Sequence, residues 1–274
     1  MITGEIRDDL VAAAGGRPDR ARSRLWEIDL GRTLAITMMV AYHTVYDIEL
    51  LSPGLGPDPF TGTWGALPEA TGSLFLFVAG VSFAVSDERM RARGLDAGRR
   101  RRRHARRAVL VLGAAMVVSV ATWVAFDERY VRFGILHAIA VGTAVCAVTI
   151  RLRAVNLVLG LAVIALGVLV TAVDSGSSWL LPIGLGPPEI GSVDYWPLLP
   201  WLGPMLIGVA VGTRLYPAGV RSRFIAPLGR RAVPGPLTTP GRHSLMIYLV
   251  HQLVLIPLVW TVLVVGGVEV PWPL

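Results

Sequence analysis

Residues Glu27 to Leu51 read EIDLGRTLAITMMVAYHTVYDIELL, a segment apolar enough to span a membrane as a helix yet carrying ionisable groups along its length. A helix advances about 100° per residue, so Asp29, Arg32, His43 and Asp47 fall at roughly 0°, 300°, 320° and 0°, within one narrow stripe. The other faces carry Leu30, Leu34, Ile36, Met38, Met39, Val40 and Val45. A charge at the centre of a membrane helix costs on the order of 2.5 to 3.5 kcal/mol on insertion scales, so the stripe is expected to face the bundle interior or a wet cavity.

The rest of the chain agrees with a membrane setting. Its 274 residues are 53% hydrophobic and 16% charged, with a mean hydropathy of +0.59, outside the usual range of soluble domains. The one cysteine, Cys146, lies in an apolar stretch and reads as a packed hydrophobe; alone, it excludes an internal disulfide. All 26 basic residues are arginine and the net charge is +7. Their placement at the ends of apolar segments, without interleaved aromatics, points to membrane orientation and not to nucleic-acid binding.

Residues 1 to 24 have no apolar core and read as a disordered cytoplasmic tail, so the first span itself would direct insertion; residues 25 to 274 form the membrane domain. A Gly- and Pro-rich loop over 52–65 leads to a second span, about Leu67 to Ser86, in which Gly72 and Gly80 would permit close helix approach. Ten arginines between Asp87 and Arg107 read as a cytoplasmic loop. Further spans are expected at about 108–126, 133–150, 154–173, 197–212 and 244–265. The 154–173 span carries no ionisable residue and reads as the helix most exposed to lipid. Pro197, Pro200 and Pro204 predict an irregular start to the sixth span, of the kind that lines a cavity. Twenty-four of the 26 arginines fall on one side of this arrangement. The positive-inside bias predicts an all-α, multi-pass bundle of about seven transmembrane helices in the cell membrane, with the N-terminus in the cytoplasm.

Several polar residues stand out as candidates. Asp47, one turn beyond His43, is placed to accept from one ring nitrogen and raise the basicity of the other. On the last span Ser244, Tyr248 and His251 form a second stripe at about 0°, 40° and 340°, with Gln252 adjacent. His137 and Asp194 fall toward the outer side, with Glu189 in the same outer loop, and could meet Asp47 around an acceptor. His104 and His243 flank arginine-rich loops and read as solvated. Arg32, about 16 Å from His43 along the helix, suits the anionic end of a long ligand, although pairing with Asp29 or Glu27 would also explain it. There is no phosphate-cradling glycine loop, nucleophile elbow or zinc spacing, and no metal is expected.

Five stretches, RLWEIDLGRTLAITMMVAYHTVYDI, SLFLFVAGVSFA, RFGILHAIAVG, DYWPLLPWLGPMLIGVAVG and GRHSLMIYLVHQ, resemble small prokaryotic membrane proteins related to the catalytic domain of heparan-alpha-glucosaminide N-acetyltransferase. The first is also similar to the signature of the wider transmembrane acyltransferase superfamily, an Arg and a His separated by ten residues, here Arg32 and His43. Relatives have Gly after the Arg, whereas here Gly31 precedes Arg32. The resemblance implies transfer of an acetyl or other acyl group from cytoplasmic acetyl-CoA or a related acyl-CoA to an extracytoplasmic acceptor, a sugar or glycan hydroxyl or amine. His43 would be the catalytic histidine and Arg32 would position the CoA thioester. On this view Asp47 orients His43, His251 or Tyr248 stabilises the oxyanion, and CoA phosphates lie among Arg32, Arg106 and Arg242. His137 and Asp194 sit on the acceptor side. Membrane lipid is the other expected partner, and association into a homo-oligomer is left open. The competing class is a proton-coupled transporter in which the same His and Asp groups relay protons.

Overall fold

A computed structural model of the chain describes residues 24–170, 177–186, 191–231 and 233–270. The expected tail (but for Arg24), Glu189 and the last residues of the 154–173 span lie outside the described residues. Eight α-helices run through the described chain: α1 Trp26–Leu51, α2 Gly62–Ala92, α3 Ala97–Phe126, α4 Ile135–Thr149, α5 Val155–Val170, α6 Leu198–Leu215, α7 Gly235–Arg242 and α8 Ser244–Val265. Among the described residues there is no strand, only a single bridge between Phe133 and Tyr195.

Six helical segments are long and apolar enough to cross a membrane: α1, α2, α3 with the 3-10 turn that carries it to Arg129, α4 with the 3-10 turn that carries it to Leu152 (18 residues), α6 and α8. The apolar α5 is shorter, 16 residues, or about 24 Å at 1.5 Å per residue. The count is close to the seven spans expected.

The arginine run is not a loop. Helix α2 continues to Ala92, and α3 begins at Ala97, so Arg99 to Arg107 are helical. Arginine is a good helix former, and Asp96 caps the new helix by accepting the Arg99 backbone N–H at 2.9 Å. That bond holds the exposed Asp96 carboxyl below its ordinary pKa.

Helix α2 is central, packed against α1 and α6. Its crossing with α6 is closed by small residues. A Cβ on Gly80 would collide with the Met205 carbonyl, and one on Gly208 with the Phe77 carbonyl. Gly72 faces the Trp196 ring. Around this crossing Leu76, Phe83, Cys146, Met205, Leu206 and Val209 form the buried core.

Lipid-facing area is spread wider than α5. That helix lays Gly160 against Gly203 and Gly167 against Pro200 of α6. Helix α3 buries just His104, Ala115 and Ser119, and α8 just Leu255, Val259 and Leu263. Leu110, Val117 and Val124 on α3, with Leu253 and Val265 on α8, are exposed as side chains against hydrocarbon should be.

The proline-rich start of α6 is irregular, Leu199 having φ −98° and ψ 121°. Its freed backbone groups bond protein and do not line a cavity through free amides: Leu198 N–H donates to Pro182 O at 2.8 Å and Leu199 N–H to Ile183 O at 3.0 Å. At the opposite end of the bundle the short α7 lies across α1. Gly241 approaches the Asp29 carbonyl so closely that a Cβ would not fit, and its N–H donates to Thr33 Oγ1 at 2.9 Å.

Candidate active site

Three helices turn one polar face each toward a cleft of about 630 Å³ at the arginine-rich end. Helical spacing selects the lining residues. From α1 come Ile28, Asp29 and Arg32, with Arg24 just before it; from the end of α2 come Ser82, Val85, Ser86 and Arg89, with Arg93 just after it; from α3 come Arg103, His104 and Arg107. Six arginines thus face one carboxylate, and a net positive cleft of this kind suits a polyanionic ligand whose phosphate oxygens match guanidinium forks.

Arg106 is not in this lining. It stands about 100° round the helix from Arg107, and Arg103 and Arg107 are the α3 arginines that line the cleft. Arg242 lies at the edge of the cleft. Its Nε is 3.8 Å from Asp29 Oδ2, and its Nη2 donates to Thr238 Oγ1 at 3.0 Å.

Asp29, 4% exposed, holds the floor of the cleft together. It accepts from Arg24 Nε at 2.8 Å and from Arg32 Nη1 at 3.1 Å. Arg32 Nη2 also donates to Ser82 Oγ at 2.6 Å, and Ser82 in turn donates to Val78 O. The Arg32–Asp29 pairing weighed from sequence therefore exists, and Arg32 lines the cleft as well. Glu27 instead takes a bidentate bond from Arg221, at 2.9 and 2.7 Å, and the Tyr216 hydroxyl at 3.0 Å. Burial and the neighbouring Glu27 raise the Tyr216 phenol.

His104 is buried, not solvated. It is 3% exposed, with Nε2 3.2 Å from Asp87 Oδ1 and its ring 4.1 Å from that of Phe83. Arg100 Nε donates to the same Asp87 oxygen at 3.1 Å. Aspartate and histidine pair because both are withdrawn from water at the α2–α3 junction. Exposed His243 keeps the expected character.

The two stripes read from sequence meet between α1 and α8. The rings of His43 and His251 stand edge to face with centroids 4.8 Å apart. His43 Nδ1 lies 2.8 Å from Met39 O, and His251 Nδ1 lies 2.6 Å from Tyr248 O. A carbonyl only accepts, so each Nδ1 carries the proton and each neutral ring presents a lone pair at Nε2.

Asp47 makes no hydrogen bond to His43, whose Nδ1 bonds Met39 O. The Asp47 carboxylate, fully buried, is held across the seam, where Gln252 Nε2 donates to Oδ1 at 3.3 Å. The tautomer expected from Asp47 is supplied by a main-chain carbonyl one turn back, the direction in which helical side chains lean. Gln252, noted from sequence only as a neighbour of His251, is the residue that joins Asp47 to α8.

The oxyanion role expected of Tyr248 or His251 also meets an obstacle. Tyr248 gives its hydroxyl proton to Asp194 Oδ2 at 3.3 Å, and neutral His251 has no free N–H, so a donor there would require protonated His251. Asp194 additionally accepts the Ile135 backbone N–H at 3.1 Å and the Trp196 indole N–H. Burial raises its carboxyl pKa against the opposing pull of these donors. His137 Nδ1 accepts the Gly134 N–H at 3.2 Å, capping α4. His137 and Asp194 thus come together at the first turn of α4 as structural hydrogen-bonding groups, and Asp47 bonds neither.

The cleft ends at Arg32 and Ser82, and His43 is not among its lining residues. Among the described residues no group of three His, Cys, Asp or Glu side chains is placed to hold a metal ion. Residues 24–253 match the family model described as heparan-alpha-glucosaminide N-acetyltransferase, catalytic. No curated protein and no solved structure matches the chain.

Proposed function

Since the chain belongs to the heparan-alpha-glucosaminide N-acetyltransferase catalytic family, we propose that it transfers an acyl group from acyl-CoA, held by the arginine cleft, to a hydroxyl or amine acceptor at the His43–His251 pair. The observation that carries this function is the His43 ring itself. Its Nδ1 proton is committed to Met39 O, so Nε2 is available as a general base between two membrane helices.

The cleft residues fit the donor. Arg24, Arg32, Arg89, Arg93, Arg103 and Arg107 against Asp29 alone leave an excess of positive charge for phosphate groups. With the arginine-rich end in the cytoplasm, as charge bias favours, acyl-CoA enters from that side. Arg32 then marks the inner limit of the anionic part. Along α1 it is about 16 Å from His43, a gap suited to a long extended arm. Bound acyl-CoA supplies an activated thioester carbonyl.

As the acceptor oxygen or nitrogen attacks that carbonyl, His43 Nε2 removes its proton. The C–S bond breaks and the sulfur leaves with its electron pair. His251, 4.8 Å away ring to ring, becomes a hydrogen-bond donor once protonated and is positioned to pass a proton onward. The acetyl donor, the acceptor on the opposite membrane face and residence in the cell membrane are parts of this proposal.

Incubating purified protein with labelled acetyl-CoA and candidate glycans, and following free CoA and labelled product, tests it. Transfer by the wild type that is lost in His43→Ala is the expected result. A His43→Ala protein that turns over like wild type removes the assignment.

A further inference from the structure

Three buried polar atoms at the α1–α8 seam have no hydrogen-bond partner within the protein: Asp47 Oδ2, Gln252 Oε1 and His251 Nε2. All three are acceptors. The Gln252 carbonyl oxygen only accepts, Asp47 Oδ2 accepts as the carboxylate, and His251 Nε2 carries no proton on the neutral ring while Nδ1–H bonds Tyr248 O. Buried polar atoms are normally satisfied, so acceptors concentrated at one seam call for a ligand rich in donors. Asp47 is fully buried, and Gln252 Nε2 bonds its Oδ1 at 3.3 Å. That single bond keeps the remaining oxygens of both residues close together, one helical turn from His43.

We propose that Asp47 and Gln252 form a recognition subsite for acceptors carrying a second hydroxyl or amine adjacent to the one that is acylated. The subsite presupposes the acyl-transfer activity proposed above. The reacting O–H or N–H faces His43 Nε2, and the neighbouring group donates to Asp47 Oδ2 and Gln252 Oε1. An acceptor with one donor leaves these oxygens unmet, and a site built to bond a polar group rejects the analogue lacking it. Gln252 is therefore specificity-determining: it touches the acceptor and also fixes the direction of the Asp47 carboxylate.

The test uses the full chain in lipid nanodiscs with acetyl-CoA and matched probes: a vicinal cyclohexanediol against cyclohexanol, and a vicinal aminocyclohexanol against cyclohexylamine. The readout is the ratio of kcat/KM for the vicinal probe over its single-donor partner. Wild type favours the vicinal probe by about tenfold or more. Gln252→Met brings the ratio close to unity, chiefly through KM of the vicinal probe. Asp47→Asn keeps an oxygen available to Gln252 but places an N–H where Oδ2 was, and it lowers the ratio too; should Gln252→Met fail to fold, this variant carries the test. Equal rates for paired probes in wild type, an unchanged ratio in both variants, or no transfer to any probe overturns the subsite. Donor hydrolysis that persists in the last case leaves the acyltransferase activity standing; complete absence of CoA release removes that activity as well.

Discussion

The rings of His43 and His251 meet edge to face with centroids 4.8 Å apart, although 208 positions separate them in the chain. Each donates its Nδ1 proton to a main-chain carbonyl of its own helix, Met39 and Tyr248 respectively. The two Nε2 lone pairs are set by backbone geometry on two different helices, so the seam between α1 and α8 holds two bases without a carboxylate between them.

Replacing either imidazole should therefore cost catalysis more than folding. His43→Ala is expected to lower acyl transfer by about 100-fold or more, the usual scale of general-base removal, with the thermal midpoint changed little. His251→Ala should lower it less, because it removes a proton relay and leaves the base. Free-thiol release in parallel with a thermal melt separates the two effects; equal losses in both variants would argue against distinct roles.

The phase of α3 predicts which arginines serve the donor. Arg103→Ala and Arg107→Ala, both in the cleft lining, should each raise KM for acyl-CoA several-fold and weaken its dependence on salt. Arg106→Ala, outside that lining, should leave KM near wild type. A larger KM effect at Arg106 than at its two neighbours would place the donor elsewhere.

Close helix crossing predicts a stability phenotype. The α2–α6 contact has no room for a side chain at Gly80 or Gly208, so Gly80→Val or Gly208→Val should destabilise the bundle by about 1–3 kcal/mol or more, as overpacking does. Melting in detergent would show the loss. An unchanged midpoint would mean that this crossing is looser than described.

Asp87 is buried with His104 and Arg100, bonded at 3.2 and 3.1 Å. Asp87→Ala leaves the guanidinium and the imidazole without their partner, and a loss of about 3–5 kcal/mol is expected. Adding His104→Phe should restore part of it by removing one orphaned polar ring. A double variant as unstable as the sum of the two single changes would show that the pair is not coupled.

Asp194 supplies a pH prediction. Burial raises its carboxyl pKa in the folded protein, so the folded state binds a proton more readily than the unfolded chain does. The associated stability is present below the unfolded value, about 3.9, and is lost as pH rises through the raised folded value. The melting midpoint of wild type should fall with rising pH across that window more steeply than that of Asp194→Asn. Parallel curves would show that Asp194 does not titrate in folding.

The spans, their order, the Arg32 and His43 positions and the small-residue crossing at Gly80 were legible in the sequence. They follow from hydropathy and the 100° helical step, which are local properties of a continuous segment. The same periodicity would also have selected Arg103 and Arg107 over Arg106 had the arginine run been read as helix, but a polar stretch with ten arginines looks like a loop until α2 is seen to continue to Ala92 and Asp96 to cap α3. Other features depend on the tertiary structure alone. Asp47 bonds Gln252, 205 positions away, in place of nearby His43, and His104 is buried against Asp87. Partner choice of this kind is settled by which helices pack together and which polar atoms they withdraw from water, and a linear pattern carries no record of that competition.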